Sequence, residues 1–250
     1  YVKAFNELGV NYIDFNKWFL EMKDTSRYIL YPKYGIHWSN YGMLLSTDSL
    51  VSYIENKRGI DMPDLILSDY KITKKLNNSD YDIADGLNLI FKLPVDALCY
   101  PQINWEKPTG KTKPKVVVIA DSFYWSMYGT GVADRSFSLG GFWYYNRLVY
   151  PDSFEKELKV NDLNFKEAIE NTDVFVVIVT EANLPKFPWG FVENTLSAFE
   201  PGYNKSYLAK GENALNYQKA LYEKIDGIKN NKEWMKEIRR KAKVKNISID

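Results

Sequence analysis

The sequence predicts an α/β fold built around a largely parallel sheet, and three observations carry that expectation. Val116–Val117–Val118–Ile119–Ala120 is an uninterrupted β-branched run, the pattern of a strand buried on both faces. Val174 to Val179 repeats it. Between the two lies a helix-like stretch around Phe165 to Glu170, and buried strands interleaved with helices stack as layers with the strands side by side.

The remaining elements follow from local patterning. Val2, Phe5 and Leu8 recur at helical spacing and Gly9 stops that helix. Val10 to Phe15 alternates like a short strand, Asn16 to Met22 reads as a short helix, and Tyr28 to Tyr34 as an extended run interrupted by Pro32. Ser39 is a plausible N-cap for a helix from about Tyr41 to Asn56, with Leu44, Leu45, Leu50, Val51 and Ile54 on one face. The region from Arg58 to Gly110 mixes charged turns with Leu65–Ile66–Leu67 and Leu87 to Leu93, and reads as an insertion-like elaboration. Lys107 to Pro114 has the composition of an exposed loop. Residues 205–250 read as C-terminal helices, helical and amphipathic from Asn213 onward. The whole reads as one domain over residues 1–250, and both ends read as cut from a longer chain, since Tyr1 opens in mid-helix.

Composition narrows the function classes. The 33 Lys and Arg against 32 Asp and Glu leave a net charge of +1, so no global field recruits nucleic acid or an anionic surface. The cluster Lys236, Arg239, Arg240, Lys241, Lys243 and Lys245 is read as a solvated helix face. No stretch reaches the roughly 20 apolar residues of a membrane span. One cysteine, Cys99, excludes an internal disulfide and a cysteine metal cluster, and one histidine excludes zinc sites built on several His. A carboxylate-only Mg²⁺ or Ca²⁺ site stays open. Gly129–Thr130–Gly131 lacks the third Gly and the Lys-Ser/Thr of a phosphate loop, and no cofactor is implied. Aromatic residues make up 16%, with 19 Tyr and 7 Trp, which suits a Tyr-rich core or a cleft offering flat faces to sugar rings.

With a single histidine, chemistry that needs a base near neutral pH has one candidate, His37. Sheets of this kind place their sites beyond the carboxyl ends of the strands, where Ser122 and Asn183 both fall. A serine hydroxyl becomes a nucleophile when a histidine takes its proton, and a strand-to-helix turn offers backbone N–H groups to an oxyanion. The plainer alternatives are that Asp121 or Ser122 only caps the next helix and that His37 only ties down a loop.

Ala120–Asp121–Ser122–Phe123 after a Val-rich strand resembles the Gly-Asp-Ser block of the SGNH (GDSL-like) hydrolases. Gly35–Ile36–His37–Trp38–Ser39 resembles the Asp-x-His-Trp-(Ser/Thr) motif of the SGNH-like alginate O-acetyltransferases and the DHHW-type proteins of bacteria. Phe142–Trp143–Tyr144–Tyr145–Asn146 and Tyr81–Asp82–Ile83–Ala84–Asp85 are similar to segments of Bacteroidetes relatives. The resemblance implies a three-layer sandwich of SGNH type and serine ester or acyl-transfer chemistry on a carbohydrate or other acylated substrate, outside the cytoplasm or membrane-anchored. Carried over, Ser122 is the nucleophile and His37 the base. Asn183 is the oxyanion donor, with Asn146 competing, while Asp121, Trp38 and Glu181 support the site. The sequence departs from the pattern at Ala120, a mild change, and at Gly35, where the motif has the Asp that orients the histidine. Either Glu181 or Asp85 substitutes, or a backbone carbonyl orients a Ser–His dyad, or the protein is an inactive carbohydrate-binding relative.

Overall fold

The computed structural model describes residues 1–200, 227 and 230–245, with side chains through residue 242. Backbone contacts divide the chain into two compact units, Tyr1–Trp189 and Gly190–Asp250.

The first unit is a mixed α/β structure whose larger sheet is mostly parallel. It opens with α1 (Val2–Glu7) and α2 (Phe15–Met22), where the Asp14 carboxylate accepts the Lys17 N–H as an N-cap. The Val10–Phe15 alternation forms no strand. Residues 10–14 run as irregular chain into α2, because alternation makes a strand only where a neighbour supplies the ladder. α3 (Asn40–Arg58) starts at Ser39, whose Oγ accepts the Gly42 N–H, and ends at Gly59 in the left-handed conformation. Its Met43, Leu44, Leu50, Val51 and Ile54 are buried.

The segment expected to be an elaboration contains a hairpin of β1 (Leu65–Thr73) and β2 (Leu98–Trp105), antiparallel, with an irregularity between Ser68 and Lys71. Between these strands lies the one-turn helix α4 (Asp82–Gly86). Cys99 is a buried free thiol on β2.

β3 (Lys115–Ala120) follows, buried from Val116 to Ala120, then the short helices α5 (Tyr124–Tyr128) and α6 (Val132–Arg135). Next come β4 (Leu139–Tyr144), β5 (Leu148–Tyr150), α7 (Phe165–Glu170) and β6 (Val174–Ile178). The sheet order is β5-β4-β3-β6. β3 pairs in parallel with β4 and β6, placing Ala120 opposite Tyr144 on one side and Ile178 on the other. β5 closes the edge antiparallel to β4. The serine turn therefore leaves the sheet between two neighbouring strand ends.

One core runs from Phe19, Trp38 and α3 through Val116, Val118 and Ala120 to Tyr124, Phe137 and Phe142. Much of the aromatic excess is used here: Phe142 meets Tyr124 edge-on at 4.9 Å and Trp125 at 4.7 Å. Gly140 has a steric role, because a Cβ there would overlap the backbone and Cβ of Ala133 on α6. Gly140→Ala is expected to cost roughly 2–3 kcal/mol by forcing α6 off β4, read as a lowered urea midpoint with unchanged slope.

In the second unit, α8 (Phe191–Phe199) and α9 (Lys232–Lys245) are described. Lys236, Arg239, Arg240 and Lys241 are exposed on α9, where Glu237 bonds Arg240 through both oxygens at 2.8 and 2.7 Å. The helical tail expected from residue 205 lies outside the described residues up to residue 226. No helix among the described residues is long and apolar enough to cross a membrane.

Candidate active site

The fold closes the 85-residue separation between the two leading candidates: His37 Nε2 lies 3.0 Å from Ser122 Oγ. Three local structures make that meeting specific.

The first is the serine turn. Asp121 is fully buried, and its Oδ1 accepts the Phe123 N–H at 3.1 Å. Its Oδ2 accepts the Thr180 N–H and hydroxyl, both at 2.8 Å, and the Asn183 Nδ2 at 3.0 Å. One carboxylate thus ties the end of β3 to the end of β6, and these four donors satisfy it in a site that water does not reach. Beyond it the Ser122 N–H finds no hydrogen-bond acceptor among the described residues. It is a free donor attached to the nucleophile candidate itself.

The second is the histidine loop. The indole N–H of Trp38 donates to Ser126 Oγ at 2.7 Å, and Ser126 Oγ donates to the Phe123 carbonyl at 3.0 Å. Phe123 packs against both rings, 4.8 Å from His37 and 5.3 Å from Trp38. The two residues flanking His37 in space, Trp38 and Phe123, therefore lock its loop to the start of α5.

The third lies behind the imidazole, where Asp82 Oδ2 stands 3.6 Å from His37 Nδ1. Its other oxygen accepts the Ile36 N–H at 2.9 Å, which fixes the carboxylate beside the histidine loop. The 3.6 Å gap exceeds hydrogen-bond length, and His37 Nδ1 has no closer partner. A shift of well under an ångström makes the bond, as such contacts tighten when a substrate binds. A carboxylate at Nδ1 favours the tautomer with its proton there, leaving Nε2 as the acceptor facing Ser122.

Asp82 takes the position for which Glu181 and Asp85 were the expected substitutes. Both of those are exposed, Glu181 at the start of a 3₁₀ turn (Glu181–Lys186) and Asp85 on α4. The cue for Asp82 was Gly35 itself. A Cβ on residue 35 would lie 2.6 Å from the Ser79 carbonyl oxygen, 2.8 Å from Pro32 Cγ and 2.9 Å from the Asp80 carbonyl carbon. The chain that carries Asp82 rests on the bare Gly35 backbone. The position that lacks the expected carboxylate is the one that lets another carboxylate in.

Asp80, two residues earlier, anchors this segment. Its carboxylate accepts the Tyr100 hydroxyl at 2.7 Å and the Asn77 N–H at 3.3 Å. Burial pushes Asp80 above the usual carboxylate range against the lowering effect of those bonds. A raised folded-state value means its contribution to stability is complete below the unfolded-state value and is lost as pH rises through the folded one. Asp80→Asn imitates the protonated form. Its melting temperature relative to the parent is therefore expected to rise as the pH is raised above the ordinary carboxylate value of about 4.

The two oxyanion candidates stand differently from Ser122. The Asn183 amide donates to Asp121 Oδ2 at 3.0 Å and to Thr180 Oγ1 at 3.1 Å, so both its N–H bonds brace the strand ends. Asn146 is buried with φ +52°, and its Nδ2 donates to the Trp189 carbonyl at 3.0 Å. Tyr145 precedes it with φ +51°, and its N–H donates to the Ala120 carbonyl at 2.8 Å, next to the serine turn. Half-buried aromatic side chains gather there, with Tyr144 5.5 Å from Trp125 and 4.5 Å from Tyr145, and Tyr145 5.4 Å from Trp189. Burial, then the Tyr145 phenol, raises Tyr144 above the usual phenol value and keeps it protonated.

Among the described residues, no group of three or more His, Cys, Asp and Glu side chains gathers to hold a metal ion. Ser122, His37 and Asp82 come from three separate segments of the chain and stand in the spatial order hydroxyl, imidazole, carboxylate. No family profile, curated protein or solved structure matches this chain.

Proposed function

We propose that this chain is a serine-dependent esterase or O-acyltransferase of SGNH type, acting on O-acylated carbohydrate outside the cytoplasm. The observation that carries the proposal is the 3.0 Å approach of His37 Nε2 to Ser122 Oγ, with the Asp82 carboxylate on the far side of the ring. The order of the motifs and the parallel strands around the serine turn favour the SGNH arrangement. The carbohydrate substrate is favoured by the clustered rings of Trp125, Tyr144 and Tyr145, with the Tyr145 backbone bonded to Ala120 next to the serine turn.

The chemistry then runs in two halves. His37 Nε2 takes the Ser122 proton as Oγ attacks the acyl carbon, and the carbonyl electron pair moves onto oxygen, where the Ser122 N–H donates to it. As the tetrahedral adduct collapses, the imidazolium returns that proton to the departing alkoxide, leaving an acyl-serine. Water or a sugar hydroxyl gives its proton to His37 and attacks the acyl carbon, and Ser122 leaves with that proton restored. The Asp82 side chain stands behind the ring and orients it. Gly35 favours the alternative of an inactive carbohydrate-binding relative, and the Asp82 carboxylate 3.6 Å from His37 Nδ1 favours the active reading.

A fluorophosphonate probe tests the assignment directly. The expected result is a covalent adduct on the Ser122 peptide, slowed in His37→Ala, together with acetate release from an O-acetylated polysaccharide. Absence of both the adduct and acetate release would remove the reading.

A further inference from the structure

Among the described residues the β1–β2 hairpin pairs with no strand of the sheet that carries Ser122. One side chain links it to the site all the same. The Tyr100 hydroxyl, on β2, donates to Asp80 Oδ2 at 2.7 Å and accepts the Asn77 N–H at 3.2 Å. Asp80 is buried, and its Oδ2 also accepts the Asn77 N–H at 3.3 Å. Two residues on, Asp82 Oδ1 accepts the Ile36 N–H, and the Ile83 N–H donates to the Tyr34 carbonyl at 3.0 Å. The connection runs from hairpin to phenol, buried carboxylate, Asp82 and histidine loop.

This connection is built from costly parts. A buried carboxylate needs its bonds to be tolerated at all, and an apolar side chain would fill the same space more cheaply. The hairpin is also distorted where it places the phenol. Ser68 pairs with Gln102 and Lys71 with Tyr100, so Asp69 and Tyr70 together oppose Pro101. Pro101 has no N–H for the ladder, and Asp69 takes φ +44° within the bulge. Bulges re-aim side chains, and this one ends at the ladder partner of Tyr100. Stability alone is better served by a regular ladder and an apolar contact. What these features supply is a fixed position for the segment ahead of Asp82. That position matters, because Asp82 Oδ2 already stands 3.6 Å from His37 Nδ1, and a further retreat takes the carboxylate away from the ring.

We propose that Tyr100 is a positioning residue for the reaction: through Asp80 it holds residues 77–82 so that the Asp82 carboxylate stays behind His37. The β1–β2 hairpin is then the arm that delivers the acid. This rests on the Ser122–His37–Asp82 reading given above.

The test is a double-variant cycle in p-nitrophenyl acetate turnover, with Tyr100→Phe and Asp82→Asn made singly and together. Rates are taken per reactive serine, counted by fluorophosphonate incorporation at completion, so molecules that fail to fold do not enter. Tyr100→Phe is expected to lower kcat about tenfold with KM within about twofold of the parent, as a small misplacement of a catalytic group does. Added to Asp82→Asn, it is expected to cost less than about twofold, because no carboxylate is left to misplace. Asp80→Ala breaks the same bond from its other end and should behave alike in both backgrounds. Equal losses with and without the Asp82 carboxylate would make the phenol a general support of the fold and overturn the proposal. An unchanged kcat in Tyr100→Phe overturns it too. The ester reading fails separately. A parent that takes up no fluorophosphonate on Ser122 removes that reading and this proposal together, whereas uptake by the parent with equal losses removes this proposal alone.

Discussion

Ser122→Ala is expected to lower the turnover of p-nitrophenyl acetate by about 10³- to 10⁶-fold while leaving the melting temperature within a degree or two of the parent. The side chain removed is small and half-exposed, and Asp121, not Ser122, holds the strand ends together, so the fold loses little. His37→Ala is expected to fall as far. The two losses are not independent, because a serine without its base is as inert as a base without its serine. The double variant is therefore expected to be no slower than either single one. A double variant slower than both by the product of the single losses would mean that the residues act separately, and the 3.0 Å approach would be incidental.

Asp82→Asn is expected to lower kcat by about 10²- to 10⁴-fold with KM little changed, since an amide neither favours the Nδ1–H tautomer nor stabilises the imidazolium. Asp82 is a positioning residue, so the division of the loss between kcat and KM is the informative readout. Asp82→Glu should recover part of the rate if the longer side chain still reaches Nδ1. Gly35 yields the more unusual expectation. Gly35→Asp restores the commoner form of the histidine motif, yet it is expected to reduce turnover. Its Cβ would sit 2.6 Å from the Ser79 carbonyl oxygen and displace the segment that delivers Asp82. Gly35→Ala should do the same without adding a charge. If Gly35→Asp were faster than the parent, the carboxylate behind His37 would not be Asp82.

These contrasts show where the sequence was legible. Val116 to Ala120 announces itself because a strand covered on both faces needs apolar residues at every position, whichever way they point. β4 is harder to see, since Gly140 and Gly141 interrupt its pattern for the sake of α6 and β3, which press against it. β1 is masked by Asp69 and Lys71 and by an irregular register, and β2 by Pro101 in its middle. The Val10–Phe15 alternation looks like a strand and has no partner to pair with. In the site, Ser122 and His37 can be picked out by residue type and motif. Asp82 lies within the Tyr81–Asp85 segment that the resemblance singles out, but its role beside His37 is not legible there, because it reaches the imidazole only through tertiary packing, 46 positions after Ile36. The placement of Asn183 after β6 is readable, whereas the Asp121 carboxylate that claims its amide is visible only in three dimensions.

The bond from the Ile36 N–H to Asp82 Oδ1 has a consequence for experiment. It makes one backbone proton, adjacent to the imidazole, a resident probe of whether the acid has arrived. In an amide spectrum the Ile36 resonance should move upfield and exchange faster in Asp82→Asn and Gly35→Ala, while core amides of β3 stay protected. Under mild denaturant the same proton is expected to lose protection first. Three chain segments must converge to build the site, and the Asp82 segment is held by a few polar contacts rather than by the core. Activity should then decline before the sheet melts, and one amide would time the loss.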